Sequence, residues 1–344
     1  MAKYIAVTNA GERMAGSPVA GYAADAGWRI WRVRTILAPS TNCRCASPRR
    51  PSPAVIMNVP TLLRIARRSL LVAIVCVPGV LRAQGAAPGP LQEAGRLDVQ
   101  GATAEARALI QRVIDSSSAP LGRSAAQRAM AISFAFDGDC ANAVRYEEMV
   151  IAFWKTRESS EPQNAFYQQG EMANEAARIC IDAGQFDIAE RYYRLGSALG
   201  LAEPEPKTHP ASLWAFRTAH ALARLAARRG NVAEAQRQVA EARRILDGNP
   251  KMAAAQDRFF PYLSGYVALY SDSLATAEAE LSKALALAGN QGDPFMHMLL
   301  AMTYEKLDQR DKAHALYEKA YSLATAHNPP SAAARPQARR KLKP

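Results

Sequence analysis

The sequence predicts an all-α protein built from recurring helix-turn-helix units, and three observations carry that expectation. A short turn holding Gly, Asp or Asn, then an alanine opening a helix, returns as DGDCANA, AGQFDIA, RGNVAEA, SDSLATA and LDQRDKA. The alanines Ala143, Ala189, Ala235, Ala277 and Ala313 stand 46, 46, 42 and 36 residues apart. Alanine, leucine, arginine and glutamate are abundant and β-branched runs are few, which favours helix. A helix pair cannot bury its apolar face alone, so such units stack on copies of themselves as a solenoid.

The elements follow in chain order. Residues 1–56 mix Gly, Pro, Ser and Arg without a sustained period and read as a disordered or mis-annotated extension, with Met57 as the expected true start. Cys43 and Cys45 lie there with no second pair, so a metal site is not expected. Residues 57–83 have the three parts of a secretory signal. Arg64, Arg67 and Arg68 precede the short apolar run Ser69–Leu81, and the small Ala83 comes before Gln84. The apolar run is shorter than the roughly 20 residues that a bilayer needs. The expected location is therefore periplasmic or secreted, with an uncleaved inner-membrane anchor as the alternative. Residues 84–95 are Gly/Pro/Ala-rich and read as a flexible spacer.

Charge follows the same division. The chain carries 43 Lys and Arg against 31 Asp and Glu, for a formal +12. Residues 1–83 hold 12 of the bases and 2 of the acids, leaving 31 and 29 beyond them. The helical part is close to neutral, which argues against nucleic acid as its partner. A cytoplasmic regulator whose basic head contacts nucleic acid is the remaining alternative of that kind.

Residues 96–327 form the expected repeat domain. A helix from about 101 to 115 reads as an incomplete first unit or cap. The last unit is the clearest: Asp293 and Pro294 supply an N-cap and a first-turn proline. Leu300, Ala301 and Tyr304 then share one face, and Ala313, Tyr317 and Ala320 stripe the next helix. AEPEPKTHP (202–210) reads as a loop. Residues 328–344 read as a basic C-terminal tail, or as a helix capping the final unit.

The residues Leu300, Ala301, Tyr304, Ala313, Tyr317 and Ala320 resemble the signature of the tetratricopeptide repeat. The other units match more loosely, through Met130, Ala131, Phe134, Ala143 and Val150, then Ala176, Ala177, Cys180, Ala189, Tyr193 and Gly196. The third unit has Leu222, Ala223, Ala226, Ala235, Val239 and Ala242, and the fourth Gly265, Ala268, Ala277, Leu281 and Ala284. The resemblance implies a right-handed α-solenoid of about five units whose first helices line a concave groove for a protein or peptide.

Carried over through the alanine register, the groove positions are Asn174, Arg178, Arg217, His220, Arg224, Arg228, Phe259, Tyr262, Tyr266, Tyr270, Met298 and Met302. Arg217, His220, Arg224 and Arg228 share one helical face, as do Tyr262, Tyr266 and Tyr270. A basic stretch beside an aromatic one suits a peptide with a carboxylate at one end and apolar side chains along it. The alternative is solvated arginines and tyrosines packed between units as core.

Cys140 and Cys180 remain after signal cleavage. The first opens the second helix of one unit, and the other lies late in the first helix of the next. Antiparallel packing puts them near one end of the stack, where an oxidising compartment allows a bond. The alternative is two small buried side chains.

No HExxH, GxxxxGK or GxSxG motif is present, and the five histidines are scattered. Glu147 with Glu148, and Glu278 with Glu280, fall on second helices, where a charged outer face is the ordinary expectation. No enzyme activity, cofactor or metal is expected. The leading expectation is an exported scaffold that binds a protein or peptide, with a helical accessory subunit of an envelope enzyme or assembly machine as the alternative.

Overall fold

The computed structural model describes residues 89–343. The extension 1–56, the signal 57–83 and the start of the spacer lie outside the described residues. Among those described, all regular structure is helical. A leading pair, α1 (Pro90–Gln100) and α2 (Thr103–Ser116), is followed by α3 (Pro120–Phe136) with α4 (Cys140–Lys155) and α5 (Pro162–Asp182) with α6 (Phe186–Leu201). Next come α7 (Ala211–Arg228) with α8 (Val232–Asp247), then the short α9 (Pro250–Gln256) and a 3-10 turn (Asp257–Phe259). The last pairs are α10 (Phe260–Tyr270) with α11 (Leu274–Ala286) and α12 (Pro294–Lys306) with α13 (Arg310–Leu323), ahead of α14 (Pro329–Leu342). Each helix packs on its chain neighbour, and first helices of successive pairs also touch, as α7 with α10 and α10 with α12.

One turn geometry joins the five main pairs. A residue in the left-handed region stands five positions ahead of each alanine: Gly138, Gly184, Gly230, Asp272 and Asp308, with φ between 55° and 78°. The next residue donates its N–H back to the preceding helix, as Asp139 to Phe134 O, Gln185 to Cys180 O, Asn231 to Ala226 O, Ser273 to Ala268 O and Gln309 to Tyr304 O. That reversal satisfies orphan carbonyls and aims the chain back along itself. The alanine is then the fourth residue of the second helix, and all five are buried. A larger side chain there would overpack the helix pair at a cost of about 1–3 kcal/mol.

Glycines let α5, α6 and α7 approach closely. A Cβ on Gly200 would stand 2.0 Å from the Trp214 ring, and one on Gly170 would stand 2.5 Å from it. Trp214 is fully buried in the space they leave. The 202–210 segment closes on Glu203, which accepts from Thr208 N at 2.5 Å and Oγ1 at 2.8 Å and meets His209 Nδ1 at 2.9 Å.

Three features depart from the sequence reading. Residues 90–95, read as spacer, are the first half of α1, with Ala94, Gly95 and Asp98 buried. Pro90 there is a first-turn helix proline rather than a linker residue. The short α9 and its 3-10 turn lengthen the fourth unit ahead of α10. The C-terminal segment is helical, but α14 packs on α3, α5 and α1 as well as on α12 and α13. It therefore joins the last pair to the first ones instead of covering the last alone.

Candidate functional site

The expected groove residues lie on α5, α7, α10 and α12 or on the 3-10 turn, and most of them are buried. Arg178, Arg217, His220, Arg224, Phe259, Tyr262, Tyr266 and Met298 are all below a tenth exposed. Asn174, Arg228, Tyr270 and Met302 are half-buried. This corrects the expectation of an open basic stretch beside an aromatic one: the two stripes face each other across a seam between units. Arg224 donates to Tyr193 Oη at 3.1 Å and Tyr262 Oη at 3.4 Å. Arg228 donates to Tyr266 Oη at 3.3 Å and lies over the Tyr270 ring at 4.9 Å. His220 tilts against Tyr262 with ring centres 5.6 Å apart. A guanidinium held on ring faces and hydroxyls loses its water with less penalty than one facing alkane.

The seam continues on both sides. Arg178 bonds Asp182 at 2.7 Å and lies over the Phe295 ring at 3.9 Å, so α5 reaches α12 directly. Arg217 pairs with Glu171, donates to Tyr167 Oη at 3.2 Å and covers the Trp214 ring at 4.7 Å. Burial, reinforced by Glu171 and opposed by Arg217, pushes the Tyr167 hydroxyl up to about 12. Burial also raises the Tyr266 and Tyr270 hydroxyls, with Arg228 pulling against it in both. Met298 belongs to the apolar cluster of α10–α14, with Met302 packed against it. Asn174 Oδ1 would stand 2.6 Å from a Cβ on Gly196, where α5 and α6 nearly touch.

A cluster of buried charge lies one unit earlier. Arg128 on α3 grips Glu175 on α5 through two bonds of 2.9 and 2.6 Å. Glu147 on α4 is wholly buried beside them. Burial first, and then the neighbouring Glu175 carboxylate, hold its carboxyl well above the usual range, with Arg128 opposing. A solvated outer face was the expectation for Glu147, and its burial corrects that. The sequence did carry the signal: Glu147 stands four residues after Ala143, where the other units have Tyr193, Val239, Leu281 and Tyr317. Glu148, its neighbour, bonds the Tyr192 hydroxyl.

Cys140 and Cys180 form a disulfide with Cα atoms 4.9 Å apart, joining α4 to the first helix of the next pair. Among the described residues no cluster of His, Cys, Asp and Glu could hold a metal ion, and no helix is long and apolar enough to cross a membrane.

What lies on three of the first helices, α3, α5 and α12, is α14. Ala332 packs among Ile132, Ala135, Phe136 and Ile179, while Ala334 and Ala338 enter the cluster of α10–α13. Just ahead of α14, His327 Nε2 meets Asp98 Oδ2 at 2.7 Å, and its ring stacks on Phe136. Arg335 donates to the carbonyls of Val99, Tyr321 and Ala324, and Lys341 pairs with Glu305 at 2.5 Å. The buried side of α14 is alanine, proline and serine, so each contact removes little apolar surface from water. Sequence reasoning missed this placement, because a small, basic segment gives no sign of where it docks. No protein-family model matches the chain, and neither does any curated protein.

Proposed function

We propose that the chain is an exported, non-enzymatic scaffold, a right-handed α-solenoid of about five tetratricopeptide-like units that binds a protein partner through its first helices. The partner is a helical segment that takes the place of α14. One observation carries this reading: α14 rests on α3, α5 and α12, three first helices from three different pairs. A wall that accepts one helix through small-residue contacts can exchange it for another with a larger apolar face. The Cys140–Cys180 bond supports an oxidising compartment and so the signal reading of 57–83. Export predicts a mature N-terminus at Gln84.

The test uses the full-length protein with Ala334→Asp and Ala338→Asp, which place charge on the packed side of α14. A labelled peptide of residues 328–344 is expected to bind this variant at least tenfold more tightly than the wild type. A partner retained from an envelope fraction should be enriched on the variant and displaced by that peptide. Equal peptide binding to both proteins, or a partner that the peptide leaves in place, overturns the reading.

A further inference from the structure

A cleft of ≈ 320 Å³ opens where the two ends of the described chain meet. Its walls include the end of α1, the corner at Gly101, the start of α2 at Thr103, the end of α3 at Asp137, and α14. Four cations line it: Arg335, Arg339, Arg340 and Lys343. Two acids also line it, Asp98 and Asp137, and both are already engaged. Asp98 accepts from Ser133 at 2.8 Å and meets His327 at 2.7 Å. Asp137 pairs with Arg107 at 2.6 Å and accepts from Thr103 at 3.0 Å.

The cations have no such compensation. Arg335 spends its bonds on three backbone carbonyls, which satisfy its N–H groups without cancelling its charge. Arg339, Arg340 and Lys343 have no carboxylate partner among the described residues. Four like charges gathered at one cleft repel, two acids beside them leave an excess of positive charge, and solvent screens that excess over a Debye length of about 8 Å at physiological salt. Gly101 fits the same corner. Its φ of +91° is the left-handed conformation that ends α1 and that glycine adopts freely, and a Cβ there would stand 2.8 Å from Arg339 Nη1, so the bare backbone lets the guanidinium approach this corner. The helix α2 also begins at this corner without a side-chain cap, which adds the partial positive charge of a helix start.

We propose that this cleft binds a small polyanion, a molecule carrying two or more carboxylate or phosphate groups. The volume matches the lower end of small-molecule sites, which suits a metabolite-sized guest. Planar guanidinium groups favour oxyanions over halide, because each offers paired donors matched to two oxygens. The site is complete only with α14 docked, since every one of the four cations belongs to that helix or caps it.

Calorimetric titration of the full-length protein at physiological salt tests this, with citrate and pyrophosphate as probes and acetate and chloride as comparisons. Saturable one-to-one binding of citrate or pyrophosphate is expected, at least tenfold tighter than acetate. Arg339→Gln with Arg340→Gln should weaken it at least tenfold. Arg237→Gln with Arg310→Gln removes the same charge from exposed positions elsewhere and should leave it unchanged. Whichever probe binds more tightly identifies the guest as carboxylate or phosphate. Absence of saturable binding by both probes, or equal weakening by the two double variants, overturns the proposal. Circular dichroism of both double variants separates lost binding from lost fold, and all four substituted side chains are exposed.

Discussion

At the residue scale, Glu147 is the least ordinary side chain. It is a carboxyl wholly inside the protein at a position that the other units give to Tyr, Val or Leu. Burial, then Glu175, raise its pKa in the folded state above the ordinary 4.5, against the pull of Arg128. The native protein thus holds this proton more tightly than the unfolded chain does. Below the unfolded value both states are protonated, and the group's contribution to stability is fully present. As pH rises through the folded value that contribution is lost. Glu147→Gln keeps the shape without the proton. We expect its melting temperature to exceed the wild type's at pH 8, by roughly 2–4 °C for each kcal/mol recovered, and to match it near pH 4. Thermal melts at the two pH values measure this, and an equal shift at both would show that ionisation is not the cause.

The arginines and tyrosines show the limit of sequence reading at this scale. Spacing of three and four correctly groups Arg217, His220, Arg224 and Arg228 on one helix face, and Tyr262, Tyr266 and Tyr270 on another. Spacing reports which side chains share a face but not what lies opposite. Opposite His220, Arg224 and Arg228 stand Tyr262, Tyr266 and Tyr270, while Arg217 turns to Glu171 and Tyr167.

At the element scale, the turns were the most legible feature. A helix reversal of this kind needs a left-handed residue, which Gly, Asn and Asp supply at least cost, and a small residue where the returning helix crosses. Both demands write themselves into sequence at a fixed offset, so the five second helices could be placed from their alanines. The first helix α1 was hidden because Pro and Gly around residue 90 have two meanings, linker and helix start. Nothing local distinguishes them. The disulfide lies at this scale too. It closes 40 residues of chain between α4 and α5, and losing such a constraint costs typically about 2–4 kcal/mol. Urea unfolding with and without dithiothreitol is expected to differ by that amount, and Cys140→Ala with Cys180→Ala should be insensitive to the reductant. Identical curves for oxidised and reduced wild type would refute the constraint.

At the scale of the whole molecule, α14 decides how the described pairs behave together. In an open stack each unit leans only on its neighbours, so stability is nearly a sum of local terms and the terminal units come apart first. Here His327 and Arg335 hold Asp98 and Val99 across more than two hundred residues of sequence. Wild type should therefore unfold in a single transition. The Ala334→Asp, Ala338→Asp protein should show an earlier step in which the amides of α1 to α3 lose protection while those of α7 to α11 keep theirs. Hydrogen exchange resolved by segment reads this directly, and uniform loss across all pairs would contradict it.

The clasp between His327 and Asp98 carries one more consequence, for the order of events during synthesis. The N-terminal pairs are made first and must wait, with part of the surface of α3 bare, until α14 follows them. A ribosome that stalls or stops short of Pro329 would therefore release a protein whose helices are nearly all formed yet whose earliest ones lack their cover.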